Sequence, residues 1–264
     1  MVVKSFLRFF WSLFKTNIAN VYSLRANFWI EMAMMMVNNI FFTMVWLLLF
    51  NSFQEINGWD IRHMILMLGI TMSAYGVYAF CFRGTADWLA GYIDRGELDT
   101  FILQPRNILL SVAGSKSAPS ALGDFATGVI FMLFSGFATL SALPFILLSL
   151  IAGAFVFLAV GIFVGTMAFY VKDSEGWGNQ IMNIFIFITT QPGSIHTGSI
   201  RLFLMFIFPA GMLTFLPVEL ITNPTWSGVF GLVGIAAGFF AASVWFFYRG
   251  LRRYESGNSF GVRG

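Results

Sequence analysis

The sequence predicts an all-α integral membrane protein with six transmembrane helices. Of its 264 residues, 58% are hydrophobic and only 10% are charged, and the mean hydropathy is +0.80. Soluble domains carry about a quarter charged residues, so this composition excludes a soluble fold. Because one membrane-spanning helix needs about 20 residues, the chain has room for six spans with short connections. We expect residues 1–264 to form a single transmembrane domain.

The first segment, residues 1–24, predicts an amphipathic interface helix rather than a signal peptide. Phenylalanines recur at helical spacing between residues 6 and 14, and Lys4, Arg8 and Lys15 lie among them. Such a pattern is typical of a helix that lies in the membrane surface with its apolar side towards the lipid. The alternative is that these residues form a charged start to the first span.

Long apolar runs predict the spans that follow. The first four spans are expected at residues 28–50, 61–82, 121–143 and about 145–171, and residues 109–120 are expected to lead into the third. Pro144 is expected to stop the third span, because proline cannot continue a hydrogen-bonded helix. The motif KDSEGWGN, residues 172–179, predicts a tight polar turn, after which a fifth span begins near Gln180. The last span is expected at residues 229–248, and a polar tail follows at residues 249–264.

The segment of residues 191–224 is broken repeatedly by proline and glycine, and it predicts either a seventh span or a re-entrant hairpin. Charge favours the hairpin, because basic residues near span ends favour the cytoplasm. With six spans and both termini inside, only Arg62 and Arg201 of the 15 Lys and Arg fall outside. A seventh span would place the arginines of the tail outside. We therefore expect an outer hairpin between spans five and six.

The densest charged passage is residues 83–107, RGTADWLAGYIDRGELDTFILQPRN. Aromatic and aliphatic residues alternate with charges as in a short amphipathic helix that ends at Gly96, and a second short piece stops at Pro105. Apolar anchors inside a charged rim are typical of a docking surface, although a solvated connector is the alternative. The candidate contact residues are Asp87, Trp88, Tyr92, Asp94, Arg95, Glu97 and Asp99.

Other motifs give little chemistry. The sequence has no GxxxxGK[ST] loop, so it cannot bind ATP by that device, and no HExxH motif or cysteine pair suggests a metal. Asn38 and Asn39 lie deep in the first span, where polar groups either face a cavity or join helices. With Met35, whose side chain adapts to apolar ligands, they are candidates for a substrate pathway. Glu31 and Asp124 lie near span ends, where we expect them to reach the headgroups or to pair.

Together these segments resemble the ABC-2 type permeases, the membrane subunits of ATP-binding-cassette exporters, and most of all a bacterial branch of uncharacterised permeases. The resemblance covers essentially the whole chain. It depends on the order and spacing of four motifs: the amphipathic N-terminal helix, IDRGELDTFILQPRN, QPGSIHTGSIRLFLMFIFPAGMLTFLPVELI and YRGLRRYESGN. The architecture that the resemblance implies has six spans, two cytoplasmic termini and a re-entrant outer hairpin.

The resemblance also implies a function. Residues 87–95 would be the coupling helix that docks on a separate ATPase, with Glu97 and Asp99 just beyond it. The chain would not be an enzyme and would hold no cofactor, because two ATPase copies would bind ATP and Mg²⁺. A second permease, either a related chain or another copy, would complete the pathway in the bacterial inner membrane, with no nucleic-acid partner. The alternatives are a polytopic membrane enzyme and an ATP-independent transporter or channel.

Overall fold

A computed structural model describes residues 25–171 and 174–254 of the protein. In this part of the chain the regular structure is helical, and the one β-bridge, between Ile56 and Trp59, is isolated. The all-α class is therefore confirmed. The expected interface helix of residues 1–24 and most of the tail, residues 255–264, lie outside the described residues.

Eleven α-helices are numbered here within the described residues. Their bounds are α1 Arg25–Ser52, α2 Ile61–Phe82, α3 Leu89–Asp94, α4 Asp99–Ile102, α5 Ile108–Ala113, α6 Ala121–Phe134, α7 Leu143–Thr166, α8 Ser174–Thr189, α9 Gly198–Phe206, α10 Phe215–Thr222 and α11 Trp226–Leu251. A π-helix, Gly84–Trp88, joins α2 to α3, and 3₁₀ turns occupy Met167–Phe169, Gly193–Ile195 and Pro209–Met212.

Four of the described helices, α1, α2, α7 and α11, are long and apolar enough to cross a membrane. A fifth crossing is counted if α9 and the segment Pro209–Thr222, which are bent by 79° at their junction, form one broken span. Two further apolar helices are shorter, with 14 residues in α6 and 16 in α8. The described residues therefore form four helices with the length of a span, or five spans if the bent pair counts as one.

Close glycine contacts pack α2 against α6 in antiparallel directions. A Cβ on Gly69 would lie 2.7 Å from the Met132 side chain, and a Cβ on Gly76 would lie 2.7 Å from the Ala121 carbonyl. The two helices approach so closely because glycine lets backbones meet, as is usual between membrane helices.

Helices α7 and α11 run in parallel, as their aromatic pairs show. Phe155 packs on Phe240 and Phe163 on Phe246, with ring centroids 5.3 and 5.0 Å apart. The end of α7 meets the charged loop at Leu89. We call this side, which holds residues 83–120, the loop face, and the side of residues 191–224 the hairpin face.

Two predicted boundaries are wrong. The third span was expected to continue to residue 143, but α6 ends at Phe134, and the chain turns through Gly136, whose φ is +76°. Arg62 Nε fixes this turn by donating to the Ser135 carbonyl over 3.0 Å. Pro144 does not stop that span; it lies in the first turn of α7, where its missing N–H costs nothing.

The second error concerns residues 172–179. They were expected to form a tight polar turn, but α8 already begins at Ser174. The two glycines in this stretch do not break the helix. Gly178 lies where a Cβ would come within 3.0 Å of the Val164 side chain, so the close approach of α8 to α7 uses that glycine for packing.

The break between α9 and α10 is held by polar contacts. The Thr71 hydroxyl donates to the Leu213 carbonyl over 3.2 Å, which satisfies a backbone group that the break leaves free. Across the bend, the Arg201 guanidinium bonds to the Glu219 carboxylate. Asn57, in the turn between α1 and α2, donates to the Ser194 carbonyl over 3.0 Å, so the end of α1 reaches the hairpin face.

Candidate functional site

The charged loop, residues 83–107, is folded into three short helices. The π-helix and α3 form its first half, and α4 forms its second half. Gly96 turns the chain between α3 and α4 with a φ of +71°, a conformation that glycine adopts at little cost. The helix end at Gly96 and the second short piece before Pro105 are confirmed.

Two glycines allow the base of the loop, around Gly84 and Thr85, to pack closely against α7 and α5. A Cβ on Gly84 would collide with the Val112 carbonyl, and a Cβ on Gly165 would collide with the Thr85 carbonyl. The Thr85 hydroxyl donates to the Phe82 carbonyl over 3.0 Å and lies 3.2 Å from the Tyr78 hydroxyl. Because these contacts leave no space, the base of the loop cannot move independently of the helices below it.

The inner side of α3 is buried within the chain. Tyr92, one of the predicted contact residues, is only 7% exposed. Its ring lies 5.1 Å from the ring of Phe101, and its hydroxyl lies 3.3 Å from the Ser115 hydroxyl. Tyr92 therefore joins the two halves of the loop and the segment before α6, and it offers little surface to a partner.

The outer side of the loop presents the other predicted residues. Asp94, Arg95 and Glu97 are exposed, and Arg95 Nε donates to Glu97 Oε1 over 2.9 Å. Trp88 is partly exposed, and the Lys116 ammonium lies 4.3 Å above its ring, a distance typical of a cation–π contact.

The last two predicted residues are Asp99 and Asp87. Asp99 is half-buried in the first turn of α4. The backbone of Asp87 is in the π-helix, but its side chain is not among the described features. Four of the seven predicted residues, Trp88, Asp94, Arg95 and Glu97, are therefore exposed on the loop.

Two exposed apolar residues of the loop were missed as site residues. Leu103, just beyond α4, is 84% exposed, and Ile102, the last residue of α4, is partly exposed. The signal in the sequence was the run FIL directly before Gln-Pro, an apolar run inside an otherwise charged passage. A leucine this exposed on the polar side of a membrane protein is a natural apolar anchor for a partner.

The second half of the loop contacts the end of α11. Asn107 donates to the Tyr248 hydroxyl over 2.8 Å. Burial and, in second place, the neighbouring Asp99 carboxylate raise the pKa of Tyr254 to about 12, since both favour the neutral phenol. The loop is therefore connected to the last helix as well as to α2 and α7.

The candidates for a substrate pathway separate into two groups. Asn39 is buried in the contact between α1 and α6, where its Nδ2 donates to Asp124 Oδ1 over 2.8 Å. Asn38 is exposed on α1, and Met35 is half-buried beside Gly123. Of the two acidic residues near span ends, Asp124 is buried and paired, and Glu31 is exposed.

Within residues 25–171 and 174–254, no three His, Cys, Asp or Glu side chains come together as a possible metal site. His63 Nδ1 lies 2.7 Å from Asp60 Oδ1, and Asp60 also caps α2 by accepting from the backbone N–H of Arg62 and His63. This pair has the arrangement of a helix cap and needs no catalytic role.

The sequence was compared with known protein families and with curated proteins. The sequence model of a family described as "ABC-2 family transporter protein" matches residues 33–258, from within α1 to beyond α11. No curated protein matches the chain. The matched region contains the whole charged loop, the broken segment between α8 and α11, the long helices α2, α7 and α11, and α1 from residue 33 onwards.

Proposed function

The chain belongs to the ABC-2 family of transporter membrane proteins, and we propose that it is the membrane subunit of an ATP-driven exporter. In this role it forms the substrate pathway and docks on a separate ATPase through the charged loop. The observation that carries the proposal is the two-sided structure of that loop. Its inner side is locked onto the helices, and its outer side presents Leu103 among charged groups.

The docking surface that we propose has an apolar centre and a charged rim. Ile102 and Leu103 form the centre, and Trp88, Asp94, Arg95, Glu97 and Asp99, with Asp87 as a further predicted contact, form the rim. Binding energy at protein interfaces is concentrated in a few buried anchors, whereas rim charges mainly orient the partner. Tyr92 then contributes indirectly, because it holds α3 and α4 together.

In this proposal the chemistry takes place in the partner. Two ATPase copies bind ATP and Mg²⁺, since the sequence has no phosphate-binding loop. Closure of the ATPase pair moves the docked loop, and the close contact of Gly165 with Thr85 passes that movement to α7. The bond between Asn107 and Tyr248 passes it to α11. A second permease, either a related chain or another copy, completes the pathway.

We propose six spans, with the loop face and both termini in the cytoplasm of a bacterial cell and the hairpin face outside. The six helices α1, α2, α6, α7, α8 and α11 alternate in direction between the two faces, apart from the hairpin, which separates α8 from α11. In support of a re-entrant hairpin, both Ser194 and the pair of Arg201 with Glu219 lie on its outer part. An even number of crossings keeps the basic tail inside, as the distribution of Lys and Arg requires.

We assign the substrate pathway to the uncovered surface of α1 and not to the contact between α1 and α6. Asn38 and the half-buried Met35 remain candidates for contact with substrate, because they lie at or near the uncovered face of α1. Asn39 does not reach that face, because Asp124 holds it in the contact between the helices.

The test is a comparison of two exposed leucines on opposite faces. Leu103→Asp changes the proposed anchor, and Leu140→Asp changes a leucine that is 88% exposed in the turn between α6 and α7. Each tagged variant is purified from its native membranes in mild detergent, and the ATPase activity that elutes with it is measured. We expect Leu103→Asp to reduce the co-eluting activity at least tenfold, since losing one hot-spot residue costs about 2 kcal/mol or more.

The Leu140→Asp variant should keep the co-eluting ATPase activity of the wild-type chain, and both variants should reach the membrane in equal amounts. If no ATPase activity elutes with the wild-type chain, the exporter proposal is wrong, and an ATP-independent transporter or a membrane enzyme replaces it. If activity elutes equally with both variants, the chain has an ATPase partner but does not dock through Leu103.

A further inference from the structure

A polar cleft of about 470 Å³ opens on the loop face, beside the docking surface but separate from Leu103. It lies where four parts of the fold meet: the first turns of α1, the end of α2, the segment before α6 and the first turns of α8. The side chains that matter for its chemistry are Glu31, Arg83, Trp88, Lys116, Ser120 and Asn179.

The cleft carries a net positive charge from its lining residues. Arg83 and Lys116 are the cations of the lining and Glu31 is its acidic residue, while the buried Asp124 carboxylate, outside the lining, also interacts electrostatically with Arg83. The Lys116 ammonium is positioned by the Trp88 ring, 4.3 Å away. Among the described residues no side chain or carbonyl accepts a hydrogen bond from it, so its three N–H groups are available to an anion.

The remaining lining groups suit an oxyanion. The Ser120 hydroxyl and the Asn179 amide can both donate hydrogen bonds, and a lysine ammonium is a common point charge for phosphate in proteins. The volume is within the range of about 300–1,000 Å³ that ligand sites occupy. Trp88 adds an aromatic wall of the kind that is enriched at the level of lipid headgroups.

We propose that this cleft binds a phosphate group, either from the headgroup of an anionic phospholipid or from a free phosphate anion. The lipid is the favoured source, because the cleft lies at the ends of membrane helices, where headgroup phosphates are concentrated. This inference does not depend on the docking proposal, since it needs only the position of the cleft at the end of the bundle. A bound phosphate would join α1 and α8 to the base of the loop.

The experiment uses the purified full-length chain in a neutral detergent. Its unfolding temperature is followed while one of three additives is titrated: short-chain phosphatidylglycerol, phosphatidylcholine of the same chain length, or inorganic phosphate. We expect phosphatidylglycerol to raise the unfolding temperature at lower concentration than phosphatidylcholine, because the choline cation is repelled by the cleft. An effect of inorganic phosphate identifies a free anion as a source, and an effect of the anionic lipid alone identifies the headgroup.

Two variants with opposite expected effects assign the binding to this cleft. Lys116→Gln should raise the half-maximal concentration of the effective additive roughly tenfold, as expected for the loss of one charged hydrogen bond. Glu31→Gln removes the acidic lining residue and should lower that concentration several-fold. Because Glu31 is exposed, this second variant keeps the test valid even if Lys116→Gln does not fold. Arg252→Gln, which removes an exposed cation of the tail, is the matched control and should change nothing.

Two results would overturn the proposal. The first is that neither phosphatidylglycerol nor inorganic phosphate changes the unfolding temperature more than phosphatidylcholine does. The second is that the half-maximal concentration is the same in the wild-type chain and in the Glu31→Gln variant, or changes equally in Arg252→Gln. Either result would mean that anions stabilise the chain elsewhere or not at all.

Discussion

Replacing Asn39 by alanine should destabilise the protein by removing a buried hydrogen bond between α1 and α6. Asn39 is 5% exposed and Asp124 is 3% exposed, and the hydrogen bond between them is 2.8 Å long. In the variant the Asp124 carboxyl keeps its buried position but loses this donor. Because α1 packs mainly on α6, few other contacts of α1 can compensate.

The expected loss of stability in Asn39→Ala follows from two ranges of hydrogen-bond energies. A buried group that loses its partner costs about 1–3 kcal/mol, whereas interhelical hydrogen bonds in a membrane protein average about 0.6 kcal/mol and reach about 1.7 kcal/mol. Both side chains are almost fully buried, so the upper part of the membrane range applies, and we expect about 1.5 kcal/mol. For a chain of this size about 1 kcal/mol lowers the unfolding temperature by roughly 2–4 °C, which gives a decrease of about 3–6 °C.

The assay is thermal unfolding of the purified chain in one detergent, with Asn38→Ala as the matched control. Asn38 is the same residue type at the adjacent position, but it is exposed. Its truncation should stay within about 0.5 kcal/mol of the wild-type stability, as is usual at surfaces. Asp124→Ala and the double variant complete a cycle, in which we expect a coupling energy of about 1 kcal/mol.

Two outcomes would refute this reasoning. If Asn39→Ala and Asn38→Ala lower the unfolding temperature equally, the buried pair of Asn39 and Asp124 contributes nothing to stability. If Asn39→Ala has the same effect in the presence and in the absence of the Asp124 carboxyl, the loss of stability comes from packing alone. In either case the bond would not be what holds α1 to α6.

Two further predictions concern the loop and the tail. Gly165→Ala should destabilise the protein by about 1–3 kcal/mol, because the added Cβ collides with the Thr85 carbonyl. Gly234→Ala, whose added Cβ meets open space, should not. Equal unfolding temperatures of the two variants would contradict the close packing of the loop on α7. The pKa of Tyr254 is raised by burial and by Asp99 from 10.0 to about 12, so its stabilising effect is complete below pH 10 and is lost as the pH rises to about 12. The difference in phenolate absorbance between the wild-type chain and Tyr254→Phe should therefore appear near pH 12, and a difference already complete near pH 10 would contradict the raised pKa.

The positions of the long helices could be predicted from the sequence, because hydropathy and capping act locally. Helix α2 begins and ends at the predicted residues, since Asp60 caps its start and Arg83 follows its apolar run. The first and last spans were predicted within a few residues of α1 and α11 for the same reason. These boundaries depend on neighbours in the sequence and hardly at all on tertiary contacts.

The errors occurred where tertiary contacts decide. An apolar run continues from α6 past Gly136, so hydropathy could not show that Arg62 fixes a turn at the Ser135 carbonyl. The amphipathic pattern of the loop was recognised, but it could not show that Tyr92 faces inwards. Which side of α3 is covered depends on contacts with Ser115 and Phe101, and neither contact is visible in the pattern of α3 itself.

The contacts of the charged loop divide the helices into two groups. The loop meets α7 at Gly165 and α11 at Tyr248, so its movement reaches both helices directly. Within the described residues it reaches α1 mainly through α6, where the contact includes the close approach at Gly123 and the bond of Asn39 to Asp124. Between α2, α6 and α7 the close glycine contacts prevent the helices from sliding past one another. We therefore expect a pathway between two permeases to open by displacement of α1 against α6, because that movement breaks the fewest packed contacts.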